Sequence, residues 1–228
     1  AGHLLGLPDT ETLKSFEIAI QLGAIAAAIL VYWKMIIGNR KLWVTVTAAF
    51  IPTAIIGLLL HHVVKTYLLG NIVVVTAALG LGGVVLILFE RLHRDDLATV
   101  KEAKDITMAQ AVTIGISQAL ALIPGVSRSA ATVFCGMAAG IRRSAIVDFS
   151  FLLAIPTMAA ATGLDLLKSA NAFSQHDVQT LGVGFVVSFV TAYAAIRWLL
   201  AFVRTHTFAS FGIYRIVLSA AAWFLLLR

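Results

Sequence analysis

The chain has 228 residues, of which 60% are hydrophobic and 12% are charged, and its mean hydropathy is +0.96. A soluble protein needs roughly 25% charged residues to cover its surface, so this composition excludes a soluble domain and indicates a membrane protein. The net charge of +6 fits cytoplasmic loops and anionic lipid headgroups. No basic stripe or nucleic-acid motif accompanies it, so we expect no nucleic-acid partner.

Long apolar runs predict an all-α polytopic membrane protein. A helix needs about 20 apolar residues to cross the hydrocarbon core, and six stretches meet that length: residues 16–36, 42–60, 71–89, 145–164, 178–200 and 210–227. Nothing in the composition marks a second domain, so we expect a single integral membrane domain over residues 1–228.

Two shorter apolar segments lie between the third and fourth spans, at residues 107–123 and 129–141. The break between them contains Pro124, Gly125 and Arg128, and lipid-exposed backbone does not tolerate such a break. The pattern therefore predicts one re-entrant helix hairpin over about 107–141, whose two half-helices enter and leave on the same face.

The distribution of basic residues supports this topology. With a re-entrant hairpin, eleven basic residues lie on one side: Lys34, Arg40, Lys41, Arg91, Arg94, Lys101, Lys104, Arg142, Arg143, Arg197 and Arg204. Four lie on the other: Lys14, Lys65, Lys168 and Arg228. If 107–141 crossed once, the count would fall to nine against six. The positive-inside rule therefore places the mouth of the hairpin in the cytoplasm.

The break also carries the residues best suited to chemistry. Pro124 ends the first half-helix, Gly125 permits a tight turn, and Ser127 caps the second half-helix. The N–H groups at the start of that helix form an anion site. Arg128 adds a planar fork of donors suited to phosphate, and Ser129 and Thr132 share a helix face beside it. The sequence thus predicts an anionic ligand at membrane depth.

Other readings of these residues remain open. Serine, threonine and glycine often serve as packing residues between membrane helices, and an arginine near a helix end often extends to the headgroups. Transporters also bind anionic substrates at the ends of broken helices, so a transporter or flippase for an anionic lipid is the alternative function. A purely structural membrane partner is a third class, although it would not need a buried arginine.

Three further polar features belong to the predicted spans or their connector. Glu17, near the edge of the first span, is either an interfacial or helix–helix hydrogen-bonding residue or a weak substrate-binding candidate. We expect Arg215 to extend from the last span to the headgroups, with a role in the site left open. The mixed-charge loop at 91–105 is predicted to be a solvated cytoplasmic connector.

The segment Pro124-Gly-Val-Ser-Arg-Ser-Ala-Ala-Thr132 resembles the PGxSRSxxT signature of the bacterial undecaprenyl-diphosphate phosphatases of the bacitracin-resistance type. Three more segments resemble parts of that family in the same order: Phe16-Glu-Ile-Ala-Ile-Gln-Leu-Gly23, Phe149-Ser-Phe-Leu-Leu-Ala-Ile-Pro156 and Tyr214-Arg-Ile. The resemblance implies an inverted-repeat fold in the bacterial inner membrane, with an active site that opens to the periplasmic side.

The resemblance also implies an activity and residue roles. The enzyme would hydrolyse undecaprenyl diphosphate to undecaprenyl phosphate and inorganic phosphate, recycling the lipid carrier for peptidoglycan synthesis and conferring bacitracin resistance. Arg128 would anchor the diphosphate, and Ser127, Ser129 and Thr132 would be the catalytic hydroxyls beside it. Gly125 and Gln118 would help to bind substrate.

One part of the family pattern is missing. The family has an earlier motif with two glutamates four residues apart, then a proline, paired serines and a histidine, upstream of a segment like Gly2-His-Leu-Leu-Gly6. The resemblance assigns to that motif the ligands of a divalent cation, Mg²⁺ or Ca²⁺. We therefore expect the chain to be N-terminally truncated, and the 228 residues alone to be inactive.

Overall fold

A computed structural model describes residues 11–68, 70–93, 97–168 and 178–226. Eight α-helices follow one another along these residues: α1 (Glu11–Gly38), α2 (Arg40–Val63), α3 (Ile72–Leu92), α4 (Met108–Gln118), α5 (Arg128–Ala138), α6 (Arg143–Lys168), α7 (Val178–Val203) and α8 (Ala209–Leu226). A π-helical turn, Val64–Leu68, extends α2. The described residues contain no strand, only one isolated bridge between Val100 and Ile141. The prediction of an all-α protein is confirmed.

Five of the helices, α1, α2, α3, α6 and α7, are long and apolar enough to cross a membrane. They coincide with five of the predicted spans. The sixth predicted span corresponds to α8, which is apolar but shorter. Many of their large apolar side chains are exposed, including Leu58, Leu81 and Leu88. Such a surface is stable in lipid and not in water, so the chain is a multi-pass membrane protein.

The two short apolar segments form an antiparallel helical hairpin. A 3₁₀ turn, Ala119–Leu122, extends α4 toward the break, and α5 returns from it. Near the tip, the Ser117 hydroxyl donates to the Ala131 carbonyl at 3.3 Å. At the open end, the Gln110 amide donates to the Ala139 carbonyl at 2.9 Å. The beginning and the end of the 107–141 segment are therefore close to each other.

The chain falls into two compact units: Ala1–Ile36 with Ala154–Leu199, and Ile37–Leu153 with Leu200–Arg228. In the first unit, small residues bring α1 and α7 together. A Cβ on Gly23 would lie 2.5 Å from the Phe185 carbonyl oxygen, and the Ser188 hydroxyl donates to the Ile20 carbonyl at 2.6 Å. These contacts supply the close approach that membrane helices need in order to associate.

The second unit contains the hairpin, and α2, α3, α8 and the first half of α6 pack within it. Gly115 of α4 lies against the backbone of α2, because a Cβ there would overlap the Ala49 carbonyl oxygen. Gly136 of α5 lies in the same way against the Ile146 side chain of α6. The core around these contacts is apolar and includes Phe149, which is fully buried. The hairpin is thus enclosed by protein on two sides, as an interrupted helix requires.

A buried ion pair joins three helix ends of this unit. An Arg143 guanidinium nitrogen lies 2.7 Å from a Glu90 carboxylate oxygen, and the two side chains are only 13% and 4% exposed. The other carboxylate oxygen of Glu90 accepts from the Phe208 N–H, directly before α8, at 3.0 Å. Glu90 thereby links the end of α3 to the starts of α6 and α8.

The connector before the hairpin differs from the solvated loop that the sequence predicted. The Arg142 N–H donates to the Val100 carbonyl at 2.8 Å, and the Thr99 N–H donates to the Gly140 carbonyl at 2.9 Å. Ala103 and Ile106 are buried. The charged side chains that the structure describes in this connector are exposed, as expected, but these backbone hydrogen bonds hold it against the turn between α5 and α6.

Candidate active site

The tip of the hairpin is a tight turn. The Val126 N–H donates to the Ile123 carbonyl at 3.2 Å, with Pro124 and Gly125 as the central residues. Gly125 has a φ of +96°, and proline followed by a residue of positive φ is the pattern of a type II turn. A Cβ on Gly125 would also overlap the Val75 carbonyl oxygen of α3. Glycine is therefore required at this position both by the backbone angle and by the available space.

Ser127 follows as the N-cap of α5, as predicted. Its hydroxyl accepts from the Ala130 N–H at 3.4 Å, and its φ of +70° is the only positive value of a non-glycine residue in the described chain. Positive φ costs free energy for a residue with a Cβ, and such strain persists where the surrounding structure imposes it. The turn and cap therefore fix the direction in which α5 begins.

Three predicted site residues come together at this end of α5. The Ser127 and Ser129 side chains are exposed, and Arg128 between them is half-buried. Among the described residues, neither the Ser127 N–H nor the Ser129 N–H has a hydrogen-bond acceptor. A guanidinium, two hydroxyls and backbone donors at the positive end of a helix form a chemically suitable site for phosphate oxygens.

Thr132 and Gln118 lie inside the unit instead. The Thr132 side chain is fully buried, and its hydroxyl lies 2.8 Å from the Ser150 hydroxyl of α6. Gln118 is 3% exposed, and its amide nitrogen lies 3.5 Å from the Thr53 hydroxyl of α2. The structure therefore does not bring these two side chains to the exposed surface that Ser127 and Ser129 share.

Arg215 lies next to the turn, and the expectation that it extends to the headgroups is wrong. Its side chain is 9% exposed and donates to four backbone carbonyls. Two belong to the turn, Gly125 at 2.7 Å and Val126 at 3.3 Å, and two belong to α3, Ala78 at 3.4 Å and Leu79 at 3.3 Å. Carbonyls inside the protein satisfy this guanidinium, so it has no need to reach the interface.

The sequence feature that accommodates the buried Arg215 side chain is a pair of glycines in α3, far from Arg215 along the chain. Gly82 and Gly83 leave a gap on that helix, and a Cβ on Gly82 would overlap the Arg215 guanidinium. An arginine six residues into an apolar helix needs a polar partner. Two adjacent glycines in a facing helix leave the backbone of that helix accessible to such a side chain. Only the α3–α8 pairing, which the sequence does not reveal, connects the two.

Glu17 lies in the other compact unit, where its side chain is exposed. In the same unit, Gln21 one turn later accepts from the Thr162 hydroxyl at 2.9 Å. Among the described residues, no three His, Cys, Asp or Glu side chains are grouped so that they could hold a metal ion. The described part of the chain therefore does not fit a divalent cation.

Comparisons with known proteins agree with this picture. A family model described as bacitracin resistance protein BacA matches residues 1–221. A protein of Aquifex aeolicus named undecaprenyl-diphosphatase is 43% identical over 225 residues, covering 98% of this chain and 88% of its own length. A protein of the same name from Thermus thermophilus is 44% identical, covering 99% of this chain and 87% of its own length.

A third relative has a similar degree of identity. A Wolinella succinogenes protein, again named undecaprenyl-diphosphatase, is 41% identical over 216 residues, which cover 95% of this chain and 84% of the relative. The residues matched by the family model include the turn and α5. With a family model over nearly its whole length and relatives above 40% identity, the chain belongs to the bacitracin resistance protein BacA family.

Proposed function

We propose that this chain is an undecaprenyl-diphosphatase, a membrane enzyme that hydrolyses undecaprenyl diphosphate to undecaprenyl phosphate and inorganic phosphate. The observation that carries the activity is the shared name of relatives that align with almost the entire chain. The exposed start of α5 supports the same conclusion, since it offers a phosphate-binding group within an otherwise apolar protein. Recycling of the lipid carrier and bacitracin resistance follow from this activity.

The proposed chemistry follows from charge. The terminal phosphoryl group of a diphosphate ester carries several negative charges, and a nucleophile reaches its phosphorus only when they are neutralised. The Arg128 guanidinium anchors the diphosphate, and the N–H groups of Ser127 and Ser129 donate to its oxygens. Attack breaks the bond from the terminal phosphorus to the bridging oxygen, which leaves with the lipid phosphate.

The proposal has two routes that differ in the nucleophile. Water attacks the phosphorus directly, or the hydroxyl of Ser127 or Ser129 attacks first and water then hydrolyses the phosphoserine. Acid quenching during turnover would trap a phosphorylated protein only on the second route. In either case Thr132 and Gln118 act by positioning the hairpin, because both side chains are buried against neighbouring helices.

The proposed membrane arrangement has six spans and one re-entrant hairpin. At 1.5 Å per residue, the 11-residue helices α4 and α5 are each about 16 Å long, roughly half the hydrocarbon thickness. The contact between Gln110 and Ala139 supports entry and return on the same face. With the basic residues inside, the site opens to the periplasmic side of the bacterial inner membrane. The divalent cation that the family resemblance implies, Mg²⁺ or Ca²⁺, also stays a proposal, and none of the described residues is assigned to it.

Phosphate release by the complete gene product in detergent tests this function. We expect the purified protein to release inorganic phosphate from undecaprenyl diphosphate, and Arg128→Ala to lower kcat/KM about 100-fold or more. Arg128→Lys should recover part of the loss, because it restores the charge without the planar fork. Arg204→Ala, which removes an exposed arginine directly after α7, is the matched control and should leave kcat/KM unchanged.

Two outcomes would contradict the proposal. A protein that moves the lipid across sealed vesicles but releases no phosphate in detergent would be a transporter, because only an enzyme turns over without a closed compartment. An Arg128→Ala variant with unchanged turnover and unchanged substrate affinity would indicate a structural membrane protein.

A further inference from the structure

We infer that Arg215 is a positioning residue for the phosphate site: its guanidinium holds the turn at 124–127 so that the Ser127 N–H faces the substrate. This inference rests on the proposed function and deepens it, because it assigns a role to a residue outside the PGxSRSxxT segment. Arg215 itself contacts no substrate. It acts through the backbone of the turn.

The first step concerns the direction of one peptide group. The carbonyl of Val126 points at Arg215, with both terminal guanidinium nitrogens at 3.3 Å. In a trans peptide the carbonyl and the following N–H point in opposite directions, and the described chain has no cis peptide. The Ser127 N–H therefore points away from Arg215, and Ser127 itself is exposed.

The second step concerns what holds that peptide in place. Ser127 has a strained φ of +70°, and the turn before it has a single internal backbone hydrogen bond, from Val126 to Ile123. The contact from Arg215 to the Gly125 carbonyl, at 2.7 Å, is the shortest that the guanidinium makes. Since the same guanidinium is anchored to the backbone of α3, it ties the turn to a rigid helix.

The third step concerns charge. Among the described residues, no carboxylate pairs with Arg215, and all of its hydrogen bonds go to backbone carbonyls. A cation bound to a carbonyl polarises the peptide and strengthens the N–H on the other side as a donor. Arg215 thus orients the Ser127 N–H for a phosphate and also strengthens it as a hydrogen-bond donor before the substrate binds.

The glycines of α3 offer a test that leaves Arg215 in place. In Gly82→Ala the new methyl group overlaps the end of the guanidinium, a flexible group that moves aside, so the fold should survive while the contact is lost. Gly80→Ala is the matched control. Its methyl group would lie 2.8 Å from the Ser219 hydroxyl on the same pair of helices and does not touch Arg215.

The measurements are steady-state kinetics and hydrogen exchange on the complete gene product in detergent. We expect Arg215→Lys and Arg215→Met to lower kcat about 100-fold with little change in KM, because a lost transition-state donor acts on kcat. Gly82→Ala should lower kcat at least about tenfold on the same grounds. In all three, amide exchange in the peptide over residues 123–131 should accelerate. Gly80→Ala should change neither quantity.

The inference is overturned if Gly80→Ala and Gly82→Ala reduce kcat equally, because Arg215 would then serve only α3–α8 packing. It is also overturned if Arg215→Lys retains the wild-type kcat, or if exchange over 123–131 is unchanged in the Arg215 variants. If the wild-type protein releases no phosphate, the proposed function fails. The exchange comparison then decides by itself whether Arg215 holds the turn.

Discussion

Two residues of the PGxSRSxxT segment, only three positions apart, have different surroundings. Ser129 is exposed at the start of α5, whereas Thr132 is enclosed and hydrogen-bonded to Ser150. A threonine inside a membrane protein gains from a hydroxyl partner on a neighbouring helix, because lipid offers none. The alternative role of serine and threonine as packing residues between helices therefore applies to Thr132 and not to Ser129.

This difference predicts separable effects on stability and activity. Thr132→Val and Ser150→Ala should each lower the free energy of unfolding by about 1 kcal/mol, because each removes the buried hydrogen bond between the two hydroxyls. The double variant should lose less than the sum, in denaturation experiments in mixed micelles. Ser129→Ala should leave unfolding unchanged and lower kcat/KM. Strictly additive losses at Thr132 and Ser150 would show that their hydroxyls do not interact.

At the scale of whole helices, polar groups at helix ends and glycines inside helices decide which elements pair. In the sequence, Glu90 directly follows the span predicted at 71–89, and Arg143 is one of two adjacent basic residues after the hairpin. The structure joins them into a buried ion pair that also serves the start of α8. A buried pair is costly to break from one side, because the remaining charge stays buried.

Glu90→Gln should therefore be strongly destabilising. We expect a loss of about 3–5 kcal/mol in the free energy of unfolding, since the Arg143 charge loses its carboxylate. Glu102→Gln is the matched control, because Glu102 and Lys104 form a pair at 2.7 Å whose side chains are exposed. Exposed pairs contribute little, so its melting temperature should equal that of the wild type. Equal melting temperatures for both variants would refute the structural role of Glu90.

Gly115 offers the corresponding test for helix packing. In Gly115→Ala the new Cβ overlaps the Ala49 carbonyl, a backbone atom that cannot move aside. We expect thermal unfolding to show a loss of about 1–3 kcal/mol from overpacking between α2 and α4. Gly182→Ala in α7 is the control, because nothing lies within 4 Å of its added methyl group. It should be neutral or slightly stabilising, since alanine is the better helix former.

At the scale of the whole molecule, the membrane topology depends on whether the segment 107–141 crosses the membrane or re-enters on the same face. Hydrogen bonds join the residues just before the hairpin to those just after it, as between Val100 and Arg142. A single crossing would separate these residues by the thickness of the bilayer. The local structure and the distribution of basic residues therefore support the same topology, although they are independent observations.

Site-directed labelling tests this topology. In a Cys135→Ala background, cysteines introduced at Lys104 and Arg142 should both react with a membrane-impermeant maleimide only from the cytoplasmic side. A cysteine at His62, exposed at the end of α2, should react only from the outside. Labelling of positions 104 and 142 from opposite sides would show that the hairpin crosses the membrane.

The sequence by itself determined the fold class, the position of five spans, the break at 124–128 and the cap at Ser127. Each of these depends on residues close together in the chain: apolar run length, a proline–glycine pair and a serine before a helix. Only the tertiary structure decided the surroundings of Thr132, the Glu90–Arg143 pair and the inward turn of Arg215. Those depend on which helices pack together, because a buried polar group takes its partner from a distant segment and no local pattern records that choice.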